Sequence, residues 1–369
     1  MYLLEMMHWK SKTSEDLAPS LCTVMLDGAD CPSTGQRTEA QPDDGFAIFS
    51  VSENFIDVQG AWQEDKRGLI TFVFLGLMYA WQYMMLYRIL IPELGILFSG
   101  IDENGFPLSM EGYIFIPLTG MVWVAFNVLF FKFLWRWIRL EIFVQRRIVV
   151  RFNRVTRQVH INRPAYAGGV VTLSWDATVP EMSGGDPGSA SGDGRLMLAW
   201  PSHYSGAGFD DLCMIGGALA DRGSAEELWE YIRRYMEEGP DAVPQPARLR
   251  SMFPWPWDSV RSTLSFLVPS WRTGDKGLVL TFALILSPLL LLHSICHWLS
   301  LLLCWPTRWS GIIKSAGLPG AAVPRLTVAE DFGVEVARKL RASTIKVVDE
   351  PDDPAGLHRA KSSSEFDSE

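Results

Sequence analysis

The chain is predicted to be an α+β membrane protein, in which a β-rich domain is interrupted by a transmembrane helical hairpin and followed by a third membrane helix. Two uncharged runs stand close together early in the sequence, and a third apolar stretch lies near the C-terminus. Short alternating segments flank both. A hydrophobic fraction of 48% and a mean hydropathy of +0.10 average over this division and understate it.

The first run, Leu69–Tyr87, and the second, Tyr113–Phe131, contain no charged residue until Arg88 and Lys132. At ~1.5 Å per residue each comes close to crossing a hydrocarbon core of ~30 Å. Pro117 falls in the first turns of the second run, where a missing N–H costs least. The loop between them, Pro92–Gly112, carries Glu93, Asp102, Glu103 and Glu111 and no Lys or Arg. Lys66 and Arg67 precede the first run, and Lys132, Arg136, Arg139, Arg146, Arg147 and Arg151 follow the second. Basic excess belongs on the cytoplasmic side, so the hairpin points its acidic loop outward. Arg88 is expected to snorkel to the outer interface.

The third stretch, Leu278–Cys304, would extend ~40 Å as a plain helix, more than the core thickness. It contains Pro288, His293 and His297. It reads as a tilted, kinked crossing or as a re-entrant hairpin broken at Pro288, and a single crossing is the expectation adopted.

Between these stretches the pattern turns to strands. Ile148–Phe152 and Gln158–Asn162 form a hairpin with Val150, Phe152, Val159 and Ile161 facing inward. Val170–Trp175, Arg195–Trp200 and Asp211–Gly216 read as three more, and Met182–Gly194 as a flexible loop. Gly45–Trp62 supplies two strands ahead of the hairpin. Ser224 and Glu227 form a capping box opening a helix whose Leu228, Tyr231, Ile232 and Tyr235 make one apolar stripe, ended by Gly239–Pro240. Seven strands and a closing helix follow the pleckstrin-homology-like order, with an unrelated antiparallel sheet covered by one helix as the alternative. The expected divisions are 1–44, a disordered tail; 45–67, the first strands; 68–131, the hairpin; 132–240, the rest of the domain, closed by helix 224–238; 241–277, an interfacial segment; 278–304, the third membrane segment; and 305–369, a polar tail.

In the interfacial segment Trp255, Trp257 and Trp271 alternate with basic residues, which suits the headgroup region. With Lys132, Arg136 and Arg139 these are the candidate membrane-interface residues. The alternative for the aromatic segment is a loop packed on the domain; for the basic run Lys132–Arg157, binding of anionic lipid headgroups is set against positive-inside bias alone, which is favoured.

A net charge of −9 excludes a broad phosphate-binding surface, so no nucleic-acid partner is expected. The five cysteines have no paired spacing, which argues against a disulfide framework or zinc ribbon. No GxSxG elbow, Walker loop, HExxH or dinucleotide fingerprint is present, so no catalytic residue and no cofactor is assigned. His293 and His297 share a helix face and are weak candidates for a metal site, set against hydrogen bonding between helices.

The stretches IFVQRRIVVRFNRVTRQVHINRP, LSWD, EELWEYIRRYMEEGP and GLVLTFALILSPLL, with the PWPW and CWPTRW segments, resemble an uncharacterised family of bacterial membrane proteins over about Gly45–Glu330. Members of that group, a domain of unknown function, are often encoded near type VI secretion effectors. The resemblance implies a cell inner membrane location and assigns no catalytic residue. The expected function is therefore a non-enzymatic, multi-pass inner-membrane protein whose cytoplasmic domain contacts lipids and a protein partner, as an immunity factor or effector accessory. The alternatives are a sensor or transport component working through the membrane helices, and an enzyme with an unrecognised site.

Overall fold

Alternation of β-branched and polar residues sets the first sheet. In the computed structural model, which describes residues 2–13, 34–60, 66–102, 104–186, 192–267, 271, 274 and 276–348, five antiparallel strands lie in chain order. They are β1 (Ile48–Val51), β2 (Phe55–Gln59), β3 (Val149–Asn153), β4 (Gln158–Asn162) and β5 (Val170–Ser174). Val150, Phe152, Val159 and Ile161 are all fully buried on one face, as their spacing predicts. Although 89 positions separate Gln59 from Val149 in sequence numbering (149 − 59 = 90, less one), the two are direct cross-strand partners. Everything between β2 and β3 is thus an insertion into one strand pair.

The chain begins with a helix, α1 (Leu3–Thr13), where a disordered tail was expected. Its sequence is too polar to announce a core contact, and tertiary partners decide it. Lys12 is buried, bonding the Asp210 carbonyl and lying 3.3 Å from Asp211 Oδ1. Arg163 Nη2 donates to the other Asp211 oxygen at 2.5 Å. Burial alone would raise the Asp211 carboxyl, but Arg163 and Lys12 outweigh it and hold it well below the usual range.

The insertion holds two long helices. The first, α2, runs from Leu69 to Ser99 with a π-helical stretch at Tyr83–Leu90. The second, α3, runs Met110–Ile138 around the interior Pro117. Both are long and apolar enough to cross a membrane, and only 6% of the most apolar part of each is buried. They extend past the runs 69–87 and 113–131, because flanking apolar residues continue the helices. Hydrogen bonds and aromatic pairs join them: Trp123 Nε1 donates to Gln82 Oε1 at 3.0 Å, Gln82 Nε2 to Asn127 Oδ1 at 2.7 Å, and Trp81 packs on Phe126.

A second antiparallel sheet contains β6 (Val179–Ser183), β7 (Gly194–Trp200) and β8 (Asp211–Leu219). Eight strands are therefore described where seven were expected. β6 escaped notice because VPEMS is short, half-exposed and carries Pro180, which is tolerated on an edge strand. It also takes Met182 and Ser183 from the expected loop, whose residues 187–191 lie outside the described residues. A bridge between Gly60 and Ile215 pins the two sheets together. Gly60 is required there, since a Cβ would fall 2.7 Å from Ile148 Cγ2.

Helix α4 (Arg222–Glu237) closes the core with Leu228, Tyr231, Ile232 and Tyr235, all fully buried. Its cap is Asp221 rather than Ser224: the Asp221 carboxylate accepts from both the Ser224 N–H and hydroxyl, which moves the start two residues earlier. Buried Trp175 stacks on Trp229 with ring centroids 5.5 Å apart, and its Nε1 donates to Glu237 Oε1 at 2.6 Å.

The interfacial segment forms helix α5 (Pro256–Leu264), and the third apolar stretch forms two helices, α6 (Lys276–Ile285) and α7 (Ser287–Leu302). A single third membrane helix was expected, but α6 and α7 are bent by 73° at the break. Pro288 in the first turn of α7 cannot continue a straight ladder.

What was expected as a polar tail from residue 305 also folds. Residues 305–328 cross the polar face of the first sheet, and helix α8 (Val334–Val348) follows. That face carries the cross-strand row Asp57–Arg151–His160–Thr172, all buried. The Asn153, Gln158 and Asn162 side-chain amides donate to the Ala316, Pro324 and Arg308 carbonyls. An irregular strap can cover a polar sheet face because such side chains satisfy its backbone. Residues 349–369, expected to be disordered, lie outside the described residues.

Candidate membrane-anchoring site

The ends of the helical insertion meet at a buried polar junction. Arg67 stands just before α2 and is 1% exposed. Its Nη1 donates to the Tyr2 hydroxyl at 3.1 Å and the Arg146 carbonyl at 2.6 Å. Nη2 reaches the Glu141 carbonyl at 2.6 Å and Cys304 Sγ at 2.9 Å, and Nε reaches Ser300 Oγ at 3.1 Å. One guanidinium thus ties together the N-terminus, both ends of the hairpin and the end of α7. The planar fork of Arg supplies several fixed donors, which an ammonium does not.

Glu141, fully buried after α3, caps α2. Its Oε2 accepts from the Thr71 N–H at 2.9 Å and the Thr71 hydroxyl at 3.0 Å. A carboxylate at a helix N-terminus also meets the positive end of the helix dipole. Gly68, at φ 95°, packs on α7 so closely that a Cβ would lie 2.6 Å from the His297 backbone nitrogen. The hairpin therefore leaves the domain through a packed neck.

Around this neck the expected interface residues divide. Lys132 and Arg139 are exposed on and just after α3, and Arg136 lies one turn beyond Lys132 on the same helix. Trp255 and Trp257 are exposed at the start of α5 and stack, with centroids 4.7 Å apart. Phe253 meets Trp255 edge-on at 4.7 Å. Trp271 is exposed, with Lys276 Nζ 5.8 Å from its ring. The later basic residues have protein partners instead. Arg151 pairs with Asp57 at 2.7 Å, Arg157 pairs with Asp176 and Glu237, and Arg146 donates to the Leu301 and Cys304 carbonyls. Part of the positive-inside signal is therefore structural.

His293 and His297 do come together on α7, but each turns to a hydroxyl of α5. His297 Nδ1 lies 2.8 Å from Ser259 Oγ, and His293 Nδ1 lies 3.1 Å from Thr263 Oγ1. The i,i+4 spacing on both helices makes the pairs register. Among the described residues no group of three His, Cys, Asp or Glu side chains is placed to hold a metal ion.

Two open depressions mark the strap, of about 500 and 470 Å³. The first is lined by Gln145, Asn162 and Trp305–Arg308, the second by residues around Val155 and Gly317–Val323. Neither lining contains a nucleophile beside a base.

Sequence reasoning found the exposed aromatics and missed the junction. Arg67 looks like an ordinary flanking charge of the kind the positive-inside rule produces, and Glu141 like one more surface charge after α3.

A profile of a family of unknown function (DUF6708) matches residues 211–317. The match begins at β8, takes in α4 to α7 and ends within the strap, and it excludes α2 and α3. It is shorter than the resemblance over Gly45–Glu330 and names no activity. No curated protein and no solved structure is similar to the chain at a significant level.

Proposed function

We propose that this chain is a non-enzymatic, multi-pass protein of the cell inner membrane, holding its β domain on the cytoplasmic face to bind a protein partner. The observation that carries this reading is the placement of α2 and α3 between two paired strands, closed by Arg67 and Glu141. A hairpin joined to its domain by a flexible linker would only tether it. A hairpin rooted in the sheet fixes the domain's orientation at the bilayer, which is useful when a partner must be met from one side.

The acidic loop and the exposed Lys132 and Arg139 support the outward-pointing orientation. Two antiparallel sheets closed by α4 support the comparison with pleckstrin-homology-like domains, with an extra edge strand. The secretion-linked role implied by the family resemblance, as immunity factor or effector accessory, is one form of this reading.

Cross-linking in intact membranes followed by purification of the tagged full chain tests it. A specific protein partner, lost when the exposed surface of the β domain is changed, is the expected result. Recovery of no partner, together with unchanged effector delivery and self-protection on deletion, overturns it.

A further inference from the structure

We infer that α5, α6 and α7 form a wedge that enters one leaflet of the bilayer and returns, so that the third apolar stretch does not cross. This rests on the proposed placement of the β domain on one face of the membrane.

Both flanks of the stretch are bonded to one domain. Before it, the Arg250 N–H donates to the Ile48 carbonyl on β1. After it, the Trp305 N–H donates to the Val144 carbonyl and the Arg146 N–H to the Trp305 carbonyl. The strap then continues along β3, β4 and β5. A domain lying on one side of a membrane cannot hold both ends of a segment that crosses once.

The helices agree with that constraint. α6 has 10 residues and α7 has 16, against the ~20 needed to span. Bent by 73°, they cannot both stand along the bilayer normal. α7 is held at its C-terminal end by Ser300 against Arg67 and by His297 against Gly68, which is where α2 leaves the domain. Its polar residues His293, Ser294, His297 and Ser300 fall on one face. His293 and His297 are matched to Thr263 and Ser259 of α5, so α5 and α7 move as one body.

The opposite surface is apolar and open. Leu280, Phe282, Leu284 and Ile285 on α6 are 50–76% exposed, as is Leu291 on α7 at 61%. Surface of this size and composition is not left in water. A lipid leaflet is the occupant for two reasons: α7 packs on α2, so these exposed apolar residues belong to helices joined to the lipid-facing hairpin, and Trp255, Trp257, Trp271 and Lys276 stand at the starts of α5 and α6, as they would at headgroup level. The family match spans the whole wedge and omits the hairpin, so the wedge is the membrane element that belongs to the matched unit.

Single-cysteine labelling of the full chain decides it. Cys213, Cys296 and Cys304 are buried, so Cys22→Ser and Cys31→Ser give the background. A membrane-impermeant maleimide is applied to intact and permeabilised cells carrying Asn104→Cys, Gln245→Cys, Leu284→Cys or Lys314→Cys. Expected are labelling of N104C in intact cells, of Q245C and K314C together only after permeabilisation, and protection of L284C in both. Labelling of K314C but not Q245C in intact cells would establish a single crossing and overturn the wedge. Reaction of L284C alongside Q245C also overturns it, by placing α6 in water. Failure of N104C alone to label in intact cells overturns the crossing hairpin and leaves the one-sided wedge standing.

Discussion

Glu141, three residues past the end of α3, accepts two hydrogen bonds from Thr71 in the first turn of α2. The end of one long helix thus caps the start of the other. Replacing Glu141 with Ala leaves a buried N–H and hydroxyl unpaired and is expected to cost about 2 kcal/mol. Glu141→Gln keeps an acceptor and should cost about half as much. Thermal unfolding in detergent measures both, and equal losses would show that the cap is not the source.

Arg67 serves five acceptors at the same neck. Lysine preserves the charge but not the planar fork, so Arg67→Lys is expected to lose about 3 kcal/mol, close to the loss for Arg67→Met. Limited proteolysis between β2 and α2 should accelerate in both variants. A near-neutral lysine variant would mean that charge alone holds the junction.

Acidification should weaken the domain through two buried histidines. Burial and Lys12 push His8 down to about 4, and burial and Arg151 push His160 down to about 4. An unfolded histidine titrates near ~6.5. Between those values the unfolded chain binds protons that the folded chain refuses. Stability is therefore fully present above pH ~6.5 and falls as pH drops towards ~4, by up to about 3 kcal/mol for each histidine. The depressed Asp211 carboxyl adds a further loss only below its unfolded value near ~3.9. Denaturant midpoints measured from pH 7.5 to 4.5 test this, and the double variant His8→Gln, His160→Gln should flatten the dependence.

His297 and Ser259 join α7 to α5 across 2.8 Å. A double-mutant cycle with His297→Ala and Ser259→Ala is expected to give a coupling of about 1 kcal/mol. Metal content well below stoichiometric should accompany the intact pair. Stoichiometric zinc or copper, or coupling indistinguishable from zero, would count against the hydrogen-bonding role.

Local patterning settled much of this protein before any tertiary contact is considered. The uncharged runs at 69–87 and 113–131 admit few structures besides long apolar helices, because charge and length are properties of the segment itself. Alternation placed Val150, Phe152, Val159 and Ile161 in the core, and a 3.6-residue period did the same for Leu228, Tyr231, Ile232 and Tyr235. Tertiary structure decided what polar residues do. His160, Arg151 and Asn162 lie on the sheet face opposite the core positions, and a strap more than 140 residues away in sequence covers it, as the Asn162–Arg308 bond shows. α1 is placed by long-range partners: Lys12 meets Asp211, and Trp9 packs on Phe332. Arg67 and Glu141 became a neck because both ends of an insertion must return to one strand pair. The apolar stretches were thus legible from the start. Whether each crosses or turns back depends on where its ends are tied, and those ties are long-range hydrogen bonds that no sequence period records.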